Sequence, residues 1–243
     1  MSEYKIPTED IELPSKGLIY PEDNPLSSGK MEIKYLTAKE EDILTNQTYI
    51  KKGTVIDKML QSLIVSKDIK YDDLIIGDKN ALMVAARVLG YGKDYTFSYE
   101  GEEVDIDLSL IEPKPLDESK FTKGHNSFDF TLPSTKVDIT FKLLTHKDEN
   151  SIKRELEGLK KVSKTNSPEL STRLKYTITS VDNDTEKKTI REFVDKYMLA
   201  RDARALRKHI DEFQPDIDLS FFPPDSEDSK PIPINLNFFW PDI

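Results

Sequence analysis

Three histidines, His125, His146 and His209, are the first candidates for proton transfer or metal ligation, because imidazole changes charge near neutral pH. No two of them share a ligand spacing such as i, i+4. His146 sits at a helix start beside a capping box. His209 is expected on the basic face of a helix, near the end whose dipole favours a cation. Carboxylates stand side by side at Glu40-Glu41, Asp72-Asp73 and Glu102-Glu103, as a two-carboxylate hydrolase would need. With 45 acidic residues in the chain, such pairs arise by chance, so the hydrolase reading ranks last. Asp182-Asn183-Asp184 resembles the start of a calcium loop, but the later glycine and closing glutamate are missing, and it is read as a turn. Gly90-x-Gly92 follows a helical stretch instead of preceding one, so it terminates a helix and does not cradle phosphate. No serine has a nucleophile-elbow context. There is no cysteine, which excludes disulfides and thiolate metal sites. No catalytic, cofactor or metal residue is assigned, and the chain is read as non-enzymatic.

Two surfaces look suited to contact. Arg201, Arg204, Arg207 and Lys208 fall on one helix and make a basic face in an acidic protein. It is either a solvated helix surface or a dock for acidic groups, on a partner or on the other half of the chain. The tail gathers Phe221-Phe222-Pro223-Pro224 and then Phe238, Phe239 and Trp240 before Pro241. Exposing such rings to water is unfavourable, so they either fold back onto the core or insert into a partner as anchors.

Positioning these groups requires the elements around them. The central one is Leu74 to Tyr95. Asp78 is placed to cap a helix, Ala81, Val84, Ala85, Val88 and Leu89 draw one apolar stripe, and Gly90 and Gly92 stop it. Its small residues admit a close neighbour, and it is expected to be the best-buried helix. Before it come a proline-rich arm over residues 1–30, a strand at Met31–Tyr35 and a helix opened by Thr37 with Glu40, a capping box. A second helix spans Thr54–Ser66. After the central helix, Tyr95–Tyr99 and Val104–Leu110 form a hairpin through Glu100-Gly101-Glu102. Strands follow at Phe128–Leu132 and Val137–Leu143, a helix from Thr145 to about Lys164, a strand at Leu174–Val181, and helices at Glu186–Leu199 and Arg201–Phe213.

A chain of 243 residues can bury a full core in one large or two small domains. Its net charge of −10 argues against a general nucleic-acid or anionic-membrane binder, and no apolar run approaches a membrane span of about 18 residues. The N-terminus lacks a signal-peptide plan, so a reducing aqueous compartment is expected.

The halves echo one another. Leu13-Pro14-Ser15 returns as Leu132-Pro133-Ser134, and Leu36-Thr37…Glu40-Glu41 as Leu144-Thr145…Asp148-Glu149. Asp57-Lys58-Met59 matches the region Asp195-Lys196-Tyr197-Met198, and Asp78…Ala81-Leu82 matches Asp202…Ala205-Leu206. Asp105-Ile106-Asp107-Leu108-Ser109 recurs as Asp216-Ile217-Asp218-Leu219-Ser220. Five echoes in order, spaced by roughly 110–135 residues, point to an internal duplication. The expected fold is α+β in two topologically similar halves, residues 1–111 with an N-terminal arm and 127–243 with the aromatic tail, joined by a linker at 112–126. Each half would carry a strand, helices and a closing strand or hairpin.

The segments Leu13–Tyr20, Leu36–Leu44, Lys52–Leu60, Leu74–Arg87, Tyr91–Tyr95 and Phe238–Pro241, in that order, resemble the baseplate hub subunit and hub assembly proteins of T-even-like contractile-tailed bacteriophages. The match is densest over residues 11–95, thins through the second half and returns at the tail. The resemblance implies a late viral protein of the tail baseplate hub, without enzymatic activity or cofactor. Its partners would be other hub or tail proteins, met in the host cytoplasm or kept in the finished virion. Permanent component and transient assembly factor both stay open, as does self-association. Relatives carry cysteine pairs near positions matching Ser98–Glu103 and after Phe221-Phe222. Here those places hold Ser98-Tyr99-Glu100-Gly101 and Pro223-Pro224-Asp225-Ser226, so no metal role is carried over. The alternative from another class is a nucleic-acid-associated viral factor using Arg201–Lys208.

Overall fold

The computed structural model describes residues 5–162, 168–223, 226–234 and 236–239. The fold is α+β, with helices packed on several small antiparallel sheets. Strand β1 (Thr8–Glu12) pairs with β2 (Lys30–Lys34), Ile11 lying opposite Met31. The chain between them folds into a tight double turn. Lys16 and Gly17 take φ of 50° and 73°, and a side chain on Gly17 would put its Cβ 2.5 Å from the Ser27 carbonyl oxygen. Three short helices follow: α1 (Ala38–Leu44), α2 (Gln47–Lys52) and α3 (Val55–Leu63). The chain then runs beside β2, bridging Ile64 to Ile33, before entering α4 (Ile76–Tyr91). Strands β3 (Asp94–Tyr99) and β4 (Glu102–Asp107) make the expected hairpin. Glu100 and Gly101 both have positive φ, as a two-residue hairpin turn requires.

In the second half β5 (Phe128–Thr131), β6 (Asp138–Phe141) and β7 (Ile178–Val181) form one sheet in that order. Helices α5 (His146–Val162) and α6 (Glu169–Thr177) lie between β6 and β7. Helices α7 (Lys187–Lys196) and α8 (Ala200–Phe213) precede the short pair β8 (Ser220–Phe221) and β9 (Lys230–Pro231). The strand expected at Leu174–Val181 is therefore half helix. Only Ile178–Val181 is extended, because α6 buries Thr172, Leu174 and Thr177 before the chain turns into the sheet.

Helix α4 also departs from its expected bounds. It starts at Ile76, so Asp78 lies in its first turn instead of capping it, and it runs through Gly90 to end before Gly92. Its most enclosed residues are Asp78, Leu82, Ala86 and Arg87, with Val84 and Met83 close behind. Arg87 is 1% exposed and donates to the carbonyls of Gly92 (2.5 Å) and Asp94 (2.9 Å), tying the helix end to β3. The stripe Ala81, Val84, Ala85, Val88 and Leu89 lines an open groove.

A continuous apolar core runs through both halves. At their joint Gly77 meets the backbone of Pro215, where an added Cβ would lie 1.9 Å from the carbonyl oxygen. The expected linker is pinned on both sides. Lys114 donates to Asp216, Asp218 donates to Glu112, Gly124 donates to Leu18, and Phe121 stacks on Phe213 at 4.8 Å. The C-terminal strands close on the first half's hairpin: Phe221 packs edge-on against Phe97 (4.9 Å) and Tyr99 (5.3 Å).

Candidate functional site

Helix α8 owes its orientation to an apolar side made by Ala203, Leu206 and Phe213. His209 lies on that side as well, stacked on Phe130 (4.7 Å) and near-parallel to Phe213 (5.7 Å). That corrects its expected place on the basic face. Burial pushes the His209 imidazole down from its ordinary value, and the neighbouring Lys120 adds to this. Arg201, Arg204, Arg207 and Lys208 are all exposed on the outward side. Arg201, Arg204 and Lys208 follow an i, i+3, i+7 spacing, so they line one stripe about 10 Å long. Lys208 pairs loosely with Glu212 at 3.5 Å, and Arg207 Nε donates to the Ala203 carbonyl. Among the described residues Arg201 and Arg204 enter no ion pair. The four expected basic residues are thus brought together as a solvent-facing cationic patch.

The tail aromatics are placed differently. Phe238 and Phe239 are fully buried, Phe238 against Tyr95 at 4.9 Å and against Phe239 at 5.2 Å. Tyr95 fixes the approach by donating its hydroxyl to the Pro233 carbonyl at 2.7 Å. The anchor reading is corrected for these two rings: they complete the protein's own core, because the β3 hairpin offers the apolar surface they need. Trp240, Pro241 and Pro224 lie outside the described residues. Phe222 stays 69% exposed.

A pair of buried aspartates, which periodicity did not reveal as ligands of a turn, ties α4 to the turn at Ser15 and α8 to the turn at Ser134. Asp78 accepts from the Ser15 amide (3.0 Å), the Ser15 hydroxyl (2.7 Å) and the Tyr20 hydroxyl (2.6 Å). Tyr20 Oη in turn accepts from the Ile75 amide at 3.1 Å. Burial pushes the Asp78 carboxyl above its ordinary value, against the pull of those donors. Asp202 accepts from the amides of Ser134 (2.7 Å) and Thr135 (3.1 Å). Burial opposes its charge too, but the hydrogen bonds from Ser134 and Thr135 outweigh this and hold it below the ordinary carboxylate range. The capping boxes match as well. Glu40 accepts from Thr37 and from Lys34 (2.7 Å), and Asp148 accepts from Thr145 and from Lys142 (2.7 Å).

The equivalence is local. Asp57 lies on α3, before the chain returns to its sheet, whereas Asp195 lies on α7, after β7. Asp105–Ser109 closes a hairpin, whereas Asp216–Ser220 leads into one. These two anchors are not equivalent, and the whole-chain duplication is not confirmed.

The histidine expected at a helix start, His146, is 5% exposed and sits at the joint of the halves. Its amide donates to the Leu74 carbonyl, and its ring meets Tyr71 edge-on at 4.5 Å. Its Nε2 lies 2.9 Å from Asn150 Nδ2. Beside it Asp57 accepts from Tyr71 (2.9 Å) and pairs with Lys79 (2.8 Å). Burial pushes the imidazole pKa down, so the neutral ring is favoured here. The cluster cements α3, α4 and α5. Glu40, from the first acidic pair, is fully buried as a cap. His125 is exposed. Among the described residues no group of three His, Asp or Glu is arranged to hold a metal, and no helix is long and apolar enough to cross a membrane.

Comparison with protein-family models, with curated proteins and with solved structures returned no match.

Proposed function

We propose that this chain is a non-enzymatic protein of a contractile phage tail, acting in assembly of the baseplate hub through protein–protein contacts. What supports the reading is the ordered set of segments that resemble those of hub proteins, together with what those segments do here. Leu13–Tyr20 makes the turn held by Asp78, Leu36–Leu44 makes the Glu40 cap of α1, and Leu74–Arg87 makes the helix that carries Asp78. These residues specify a scaffold, and a scaffold is what an assembly protein must conserve in shape. The buried carboxylates are occupied by backbone and hydroxyl donors, which supports structural work for them. The contact surface is the patch Arg201, Arg204, Arg207 and Lys208, suited to acidic groups on another hub or tail protein. A chain that stays in the virion is found in finished tails, and one that leaves after assembly is found only with hub precursors.

The exposure of the same patch favours a second reading, a nucleic-acid-associated viral factor. Capture from infected-cell extract tests both. Under the hub reading, wild type retains hub precursors and Arg204→Glu/Arg207→Glu loses at least tenfold of them, with nuclease treatment irrelevant. Retention that nuclease abolishes would transfer the patch to nucleic acid.

A further inference from the structure

The stripe of α4 residues Ala81, Val84, Ala85, Val88 and Leu89 floors, with Ile11 of β1, a groove of about 360 Å³. It is bounded on one side by β1 and on the other by the segment Leu108 to Pro113. No residue of β2 lines it, so it lies on the far side of β1 from its sheet partner. That far edge is unpaired among the described residues: β1 and β2 form a sheet of two. The register fixes which groups face outward. Tyr35 donates to the Pro7 carbonyl and Leu13 to the Gly29 carbonyl, so Pro7, Glu9, Ile11 and Leu13 turn their backbone groups toward β2. Thr8, Asp10 and Glu12 therefore present their N–H and C=O groups on the groove side.

An unpaired edge above an apolar floor is the geometry for adding a strand. The charge around it selects the occupant. Glu9 and Glu12 line the groove, Asp10 stands exposed between them, and no basic residue lines it. Among the described residues Glu12 has only a distant exposed contact with Lys30 at 3.7 Å, and Glu9 accepts only from the Tyr35 hydroxyl at 3.2 Å. We infer that this groove takes an extended segment of a partner protein whose side chains alternate apolar and basic. It adds a strand to β1, places its apolar residues over Ala81 and Ala85 on the face that Ile11 shares, and sets its cations, on the opposite face, against Asp10 and Glu12. A five-residue strand is about 17 Å long, so five to seven residues of the partner would be engaged. The inference rests on the groove and not on the tail-hub reading, and either can fail alone.

The test uses the full chain and three fluorescein-labelled heptapeptides, read by anisotropy: alternating lysine and isoleucine, alternating lysine and serine, and the first sequence with alternate backbone amides N-methylated. The expected result is saturable binding of the lysine–isoleucine peptide, with the other two at least tenfold weaker and Ala85→Arg weakening the first at least tenfold. The N-methylated peptide needs no variant, so the outcome stands even if Ala85→Arg misfolds. Lysine–serine binding within threefold would reduce the interaction to charge on an acidic protein and overturn the inference. Undiminished binding of the N-methylated peptide would remove the added strand. A dimer of this chain by sedimentation, without peptide binding, would put a second copy in the groove and equally overturn it.

Discussion

Replacing Asp78 with alanine leaves the Ser15 amide, the Ser15 hydroxyl and the Tyr20 hydroxyl without their acceptor, in a place closed to water. The amide cannot turn away, and a stranded buried donor costs about 1–3 kcal/mol. The hydroxyls rotate, but Ser15 Oγ already accepts from Gly17 and Tyr20 Oη from Ile75, so their protons have few alternatives. Against this stands relief of a carboxylate whose raised pKa shows that its charge is held at a cost. The net expectation for Asp78→Ala is a loss of about 2–4 kcal/mol. Asp78→Asn keeps one acceptor oxygen and should lose about 1–2 kcal/mol. The pH dependence has a definite sign. A carboxyl raised in the folded state contributes fully below its unfolded value, near 3.8, and loses that contribution as pH rises through the folded value. The deficit of Asp78→Asn relative to wild type should therefore be wider at pH 4 than at pH 7. Urea unfolding followed by circular dichroism measures each term, and a cycle with Tyr20→Phe isolates their coupling. An Asp78→Ala loss below about 1 kcal/mol would refute the claim that this aspartate organises the turn.

Other perturbations follow from the same contacts. Phe238→Ala should cost about 3–5 kcal/mol in urea unfolding, since the ring is fully enclosed against Tyr95 and Phe239. Gly77→Ala forces the Pro215 backbone away and should cost about 1–3 kcal/mol, with faster amide exchange at Lys114 and Asp218. His146 is depressed by burial, so the unfolded chain takes up its proton first. Stability tied to it is complete above about 6.5 and falls as pH drops below that value, a slope that His146→Gln should flatten between pH 7 and 5.

Features whose determinants lie within a few residues were legible in the sequence. The Thr37–Glu40 cap needs three residues of spacing, and the basic face of α8 needs two turns of helix. The α4 stripe was legible as a pattern but not in its use: Leu82, Met83, Ala86 and Arg87 face the interior, while Ala81 and Ala85 face a groove. What the spacing could not supply was partners distant along the chain. Ser15 and Tyr20 reach Asp78 across 63 and 58 residues, and only the repeated Leu-Pro-Ser before each aspartate hinted at the contact. His209 read as basic surface because nothing local shows that Phe130 lies against it. Helix α6 was hidden by the β-branched run that follows it, which drew the expected strand too far toward the N-terminus. The tail rings offered core or interface equally, until the β3 hairpin supplied the surface that covers them.

A role in building the tail hub is tested most directly by quantitative mass spectrometry of purified, assembled tails beside capture from infected-cell extract. Peptides of this chain at a fixed ratio to hub proteins in finished tails would make it a structural subunit. Capture of hub precursors with absence from finished tails would make it an assembly factor. Absence from both would contradict a role in the tail hub.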